Sequence, residues 1–284
     1  MEDIFEAIVR MRREGRRGAL ATIVGVRGSV PSQHASKMLF CEDGSTVGTV
    51  GGGCVEGEVW AAAREVMDEE KPRTLTFNLN ENPRYDTGLV CGGSLDVFVE
   101  PVAPTPFVYL FGAGHVGFNV YRAARLAGFE VVVIDDRESF ANRERFAEAH
   151  EIHASPIDQI LPRLSPPASA SIVIATRGHR DDMRVLRWAV TTPARYVGML
   201  GSRRKAITIY RELEREGVAP DALARVRAPI GIEIGSATPE EIGISIVAEL
   251  IARRRGAELG PTRLPRRTGS VDAPAPQEAP AAVA

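Results

Sequence analysis

The sequence is poor in cysteine, lacks any large imbalance of charge and holds no long apolar run, and each shortage removes a class of protein. Its 284 residues include three cysteines, Cys41, Cys54 and Cys91. An odd number without a C-x-x-C pair argues against a disulfide framework and against a zinc knuckle, so each thiol is expected to be free. The 35 basic and 37 acidic residues leave a formal charge of -2. That balance gives no general electrostatic reason to bind nucleic acid or an acidic membrane, so any anion site must be local. No apolar stretch approaches the ~18 residues that span a bilayer. The opening segment MEDIFEAIVRM is acidic and helix-like, without the basic and then apolar order of a signal peptide, which makes the cytoplasm the expected address. What the sequence does have, 44% hydrophobic and 25% charged residues, is the composition of a folded globular chain. Its length favours two domains.

Residues 1–100 read as a mixed α/β domain. It opens with an amphipathic helix that places Ile4, Ile8 and Met11 on one face, followed by Arg10, Arg12, Arg13, Arg16 and Arg17 as a solvated helix end. Strand-like stretches at 18–26 and 37–41 precede a glycine-rich loop and a helix that buries Val59, Ala63, Val66 and Met67. Two further strands, 73–79 and 94–100, flank a loop rich in turn formers. Three prolines within 101–106 mark a linker, since proline suits neither helix nor central strand. Beyond it, short apolar runs at 107–111, 130–134, 171–175 and 195–199 alternate with helical segments. That alternation predicts an α/β architecture: a Rossmann-like, doubly wound parallel sheet over 107–255. Thr238, Pro239 and Glu241 form a capping signature for a last helix that ends near Arg255. Residues 256–284, dominated by Pro, Ala and Gly, read as a disordered tail.

The motif FGAGHVG places Gly112, Gly114 and Gly117 after a strand and at the head of a helix. Glycines in that order let the backbone approach a pyrophosphate, while helix N–H groups and the helix dipole stabilise its charge. The next strand ends in Asp135, 18 residues after Gly117, where an acid can hold a ribose hydroxyl. A nucleotide such as NAD is one occupant, and tight helix–strand packing is the other use of the same glycines. His115 either contacts a ligand or caps the helix. In GTVGGGCVE, the glycines Gly51, Gly52 and Gly53 set Cys54 at or near a helix N-terminus. The positive end of that helix favours the thiolate, the form that attacks electrophiles and binds soft metals; the alternative is a compact hydrophobe in a tight turn. Glu56 either acts on a nearby proton or stabilises the first helical turn.

Cys91 stands among Gly88, Gly92 and Gly93 in a loop, and two glycine-framed cysteines suggest a common pocket. Cys41 ends a strand and reads as structural. The turn from Gly28 to Ser32, with Lys37 beyond it, offers donors to an anion or is a plain turn. TRGHRDD follows a strand of the second domain, where the carboxyl ends of parallel strands form the ligand crevice. His179 there is an acid/base or ligand contact, while Asp181 or Asp182 can cap the next helix. After the following strand, Ser202, Arg203, Arg204 and Lys205 place three cations at a helix start, an arrangement that favours phosphate.

In order and approximate spacing, GSVPSQHASKM, GTVGGGCVE, GLVCGG, FGAGHVG, TRGHRDD, YVGMLGSRRK and PIGIEIGSATPEEIGISI resemble the xanthine dehydrogenase accessory proteins of the XdhC/CoxI type. The resemblance runs from about residue 5 to residue 253. It implies a factor that binds the molybdenum cofactor in its molybdopterin form and protects it while a sulfido ligand is installed with a cysteine desulfurase. The cofactor is then delivered to apo-xanthine dehydrogenase or a related molybdenum hydroxylase. Such a protein is an accessory factor rather than a turnover enzyme. Carried over residue by residue, the resemblance makes Cys54 and Cys91 candidate molybdenum contacts. It makes Gly112, Gly114, Gly117 and Asp135 a nucleotide-type site. Ala35 stands where the family pattern commonly has glycine, a mild change unless the position needs a positive φ. Two other readings stay open: an NAD-dependent oxidoreductase, and a nucleotide-binding regulatory module with structural cysteines. Whether the chain forms a homo-oligomer is also open.

Overall fold

A computed structural model describes residues 3–28, 35–78 and 93–257, with Cys54 described in its backbone alone. Chain order begins with α1 (Ile4–Arg13), β1 (Gly18–Gly28), β2 (Lys37–Cys41), β3 (Thr46–Gly48), α2 (Gly53–Glu69), β4 (Arg73–Asn78) and β5 (Gly93–Val102). These strands form one antiparallel sheet in the order β3-β2-β1-β5-β4. In β5, Leu95, Val97 and Val99 are buried in alternation with half-buried Ser94, Asp96 and Phe98, the period-2 pattern of a strand with one face in a core. α2 brings Val59, Ala63, Val66 and Met67 onto Ala19, Ala21, Ile23 and that β5 face. On the other side α1, capped by Asp3 through the N–H groups of Phe5 and Glu6, packs Ala7 and Met11 against Leu39 and Cys41. Cys41 is buried there as a small apolar side chain, in keeping with its structural reading.

The first sheet reaches further along the chain than the proline count suggested. Pro101 and Val102 belong to β5 and pair with Ala19 and Gly18. β4 stops opposite Val99, so at Pro101 the strand has a neighbour on one side only, a position where a missing N–H is tolerated. The segment between the two sheets is therefore 103–106, and Arg12 of α1 holds it: its Nε donates to the Ala103 carbonyl at 3.0 Å, and its own carbonyl accepts from Thr105 N–H at 2.9 Å.

The second unit runs β6 (Phe107–Phe111), α3 (His115–Leu126), β7 (Glu130–Ile134), β8 (Glu151–His153), α4 (Ile157–Ile160), a 3₁₀ turn (Leu161–Arg163) and β9 (Ser171–Ile174). It continues with α5 (His179–Ala189), β10 (Tyr196–Met199), α6 (Arg203–Arg215), α7 (Pro220–Ala224), β11 (Val226–Arg227) and α8 (Pro239–Arg255). The six strands are all parallel, in the order β11-β10-β9-β6-β7-β8. The chain winds outward from β6 to β8 and returns to β9 on the other side of β6, the doubly wound Rossmann topology. Both faces of the sheet are covered, which is why its strands read as unbroken apolar runs. Ile172, Ile174, Val185, Leu186 and Leu213 fill one side, and Leu110, Val120, Val133, Ile246 and Leu250 the other. The reversal between β6 and β9 opens a crevice at their carboxyl ends. The capping box at Thr238 and Glu241 forms as expected, and α8 ends at Arg255. Among the described residues no helix is long and apolar enough to cross a membrane.

Candidate functional site

The crevice is built from the ends of β6, β7, β9 and β10. The three fingerprint glycines have different reasons to be glycine. Gly112 has φ +113, and a Cβ there would collide with the carbonyl of Ala175; a Cβ at Gly117 would collide with the carbonyl of Gly112. Gly114, the N-cap of α3, faces open space. So the first and third glycines answer to packing of helix on strand, and the second leaves the backbone approachable from outside.

Asp135, only 7% exposed, ends β7 beside this loop. Its carboxylate accepts the Ala113 N–H at 2.8 Å, the Arg137 N–H at 3.0 Å and two guanidinium bonds from Arg137 at 2.8 Å each. Burial pushes its pKa up, but the Arg137 side chain, the two backbone N–H groups and the Arg137 charge outweigh it and hold the carboxyl below its ordinary value. The acid expected to hold a ribose is thus engaged by the chain itself. Arg137 in turn lies 3.8 Å over the Phe140 ring. The carbonyl of Ala113 accepts from Arg145 at 2.8 Å, so both backbone polar groups of Ala113 are held. Arg145 carried no motif signal, being 32 residues away in sequence.

Across the crevice, Arg177 from the loop after β9 reaches Asp136 after β7 at 2.5 Å, an exposed ion pair that spans the end of β6. Thr176 donates to Asp182 at 2.7 Å. Asp182 is fully buried in α5 and forms an ion pair with the Lys205 ammonium from α6. Lys205 also donates to the Leu200 carbonyl at 3.2 Å. Of the three cations read as an anion site, Lys205 is therefore committed inside the protein, while Arg203 and Arg204 are exposed. Ser202 N-caps α6, its hydroxyl accepting the Lys205 N–H at 3.2 Å. His115 and His179 are each the first residue of a helix, α3 and α5, and both are exposed. A further buried acid, Glu249 of α8, accepts the Gly231 N–H at 2.6 Å beside the buried Tyr196 hydroxyl. Burial and the Glu249 charge raise that hydroxyl well above its ordinary pKa. No motif marks Glu249; the one sequence signal that could find it is an acid between the apolar residues Ile246 and Leu250.

In the first sheet unit, Gly51, Gly52 and Gly53 have φ of +122, +76 and +64, three successive residues in conformations that side chains resist. One Glu56 oxygen gathers the loop, accepting from the Thr49 hydroxyl at 2.6 Å, Gly52 N–H at 3.1 Å and Val50 N–H at 3.3 Å. Of the two roles read for Glu56, this contact is the stabilising one. Cys54 is the second residue of α2. Its side chain lies outside the description, as do Cys91 and residues 29–34. Ala35 adopts φ +69, the conformation for which glycine is the natural residue. Among the described residues no cluster of three or more His, Cys, Asp or Glu could hold a metal ion.

Residues 108–250 match the XdhC Rossmann domain and residues 11–78 the XdhC and CoxI family. The chain is 34% identical to the uncharacterized protein YqeB of Escherichia coli K12 over 259 residues, 91% of this chain and 47% of that protein, so it spans about half of that relative's length. It is 22% identical to a protein of Bacillus subtilis 168 named as a probable xanthine dehydrogenase component, over 83% of this chain and 93% of that one. It is 23% identical to the molybdenum cofactor insertion chaperone PaoD of E. coli K12, over 88% of each chain. A crystal structure described as a xanthine dehydrogenase from Bacillus halodurans shares the fold at 23% identity and a TM-score of 0.50, over 89% of this chain and 96% of that one. With both modules matched in order and the doubly wound sheet in place, the chain belongs to the XdhC and CoxI family and carries its Rossmann domain in the C-terminal part.

Proposed function

We propose that this protein is an accessory factor in the maturation of xanthine dehydrogenase-type molybdoenzymes. It binds the molybdenum cofactor, holds it while a cysteine desulfurase supplies the sulfido ligand, and hands it to the apoenzyme. The observation that carries this reading is the likeness to a molybdenum cofactor insertion chaperone over 88% of both chains. The local chemistry is compatible. Cys54 lies in the first turn of α2, where the helix dipole favours a thiolate, and thiolates suit a soft metal. In this proposal Cys54 and Cys91 contact molybdenum, and the loop at Gly51, Gly52 and Gly53 lets the bulky cofactor approach the backbone. The phosphate end of the cofactor, or a separate nucleotide, lies at Gly114 and the start of α3, within reach of His115 and His179, with Ser202 and Arg203 on the neighbouring helix start. Among these residues, what the chain contributes is binding and orientation, with no acid/base group assigned to turnover.

The test is to purify the protein from molybdate-replete cells and measure bound molybdenum together with the fluorescence of oxidised pterin. Retention near one cofactor per chain, reduced about tenfold or more by Cys54→Ala, supports the reading. A protein that neither retains nor takes up metal or pterin, yet oxidises NADH with some substrate, would favour the oxidoreductase instead and end this one.

A further inference from the structure

At the opposite end of the parallel sheet from the crevice, the loops before β6, β7, β9 and β10 surround a cavity of about 290 Å³. Arg12 of α1 reaches it from the first sheet unit; Arg195, Arg254 and Arg255 line it from the second. Four guanidiniums face one carboxylate, that of Glu70. The last turn of α8 accounts for cations at Arg254 and Arg255, because a helix C-terminus is partially negative. It does not account for Arg195, which stands in a loop, nor for the absence of partners. Among the described residues the Arg195 and Arg255 side chains make no hydrogen bond or ion pair, and both are exposed. Arg254 donates to the Ala127 carbonyl at 3.4 Å and lies 4.4 Å over the Phe129 ring, and Arg12 donates to the Ala103 carbonyl, so both are held by neutral partners that leave their charge in place. Burial, together with the charges of Arg255 and Arg195, also lowers the pKa of Arg254, the mark of positive charge left uncompensated.

We propose that this cavity is a binding site for a small phosphate-type anion that bridges α1 of the first unit to α8 and the β10 loop of the second. Four guanidiniums against one carboxylate leave the lining with an excess of three positive charges, so its ligand must be anionic and offer several acceptor oxygens. Guanidinium forks match phosphate oxygens in pairs. A volume near the lower bound of ~300 Å³ for small-molecule sites suits a phosphate or pyrophosphate group better than a dinucleotide. The site is separate from the fingerprint loop and does not depend on what that loop binds.

The experiment is calorimetric titration of the full chain with inorganic pyrophosphate at constant ionic strength, repeated with Arg195→Gln/Arg255→Gln. Both side chains are exposed, and an unchanged melting temperature without ligand checks that the variant folds. The expected result is saturable binding of one anion per chain, weakened about tenfold or more in the variant. A nucleoside monophosphate arm identifies the source: tighter binding than inorganic phosphate, lost in the same variant, points to a phosphate ester, and equal binding to a free anion. Absence of saturable pyrophosphate binding, or binding that the double variant leaves intact, overturns the proposal.

Discussion

Replacing Lys205 by methionine isolates the contribution of the ion pair beneath the crevice. Methionine keeps most of the side chain's length and packing and removes the charge. Asp182 is 0% exposed, and its other contact is the neutral Thr176 hydroxyl. A buried carboxylate stripped of its counter-ion typically costs 3–5 kcal/mol. Lys205 keeps 29% of its side-chain exposure, so water already screens the pair in part and the lower end, about 3 kcal/mol, is the appropriate figure. At roughly 2–4 °C per kcal/mol for a domain above about 150 residues, the melting temperature should fall by roughly 6–12 °C. Trp188 lies in α5, six residues after Asp182, so in a Trp60→Phe background its fluorescence during urea unfolding reports the domain concerned. The control is Asp182→Asn/Lys205→Met, which removes both charges and should recover most of the loss, because the penalty belongs to the unpaired carboxylate. If Lys205→Met melts within about 1 °C of the parent, or the double variant is no better than the single one, the assignment of Lys205 to structure is wrong and its place in an anion site reopens.

The fingerprint glycines should separate in a substitution series. Gly112→Ala and Gly117→Ala should fail to fold or lose several degrees of thermal stability, whereas Gly114→Ala should fold normally and lower only ligand binding; a destabilised Gly114→Ala would contradict the open space seen there. Asp135, held below its ordinary value of 3.8, stabilises the fold fully above that pH and loses this contribution as pH falls beneath it. Asp135→Asn should therefore be less stable than the parent near neutrality, with the difference shrinking under acid conditions; a pH-independent gap in urea midpoints would count against the sign. Ala35→Gly should raise stability by about 0.5–1 kcal/mol, the relief of a left-handed residue less glycine's greater freedom when unfolded. Thermal unfolding measures it, and a loss would show that the turn tolerates alanine without strain.

The fold was legible where secondary structure and local punctuation coincided. The runs at 107–111 and 130–134 coincide with β6 and β7 because a doubly covered sheet needs continuous apolar strands, bounded here by proline and glycine. β8 and β11 carried no such signal, since edge strands of three and two residues show neither run nor period. At the site, the strand, glycine loop and helix of the fingerprint could be read from residue order alone. The partners of its residues could not. Asp135 with Arg137 is a contact over two positions, but Arg145 on Ala113 and Lys205 on Asp182 join residues 32 and 23 positions apart, and only the folded chain decides which donor meets which acceptor. The position of Ala35 lay between these cases: the departure from glycine was visible, and the backbone conformation that gives it weight was not.

The Asp135–Arg137 pair makes the crevice a site with a resident competitor. A ribose seeking that carboxylate must first evict a guanidinium, and giving up one charge-assisted hydrogen bond of about 1.5–3 kcal/mol weakens its affinity about tenfold to a hundredfold. A ligand that needs only the Gly114 backbone and the start of α3 meets no such rival. At the proposed site, this pairing would favour a ligand recognised by its phosphate end over one recognised by its sugar.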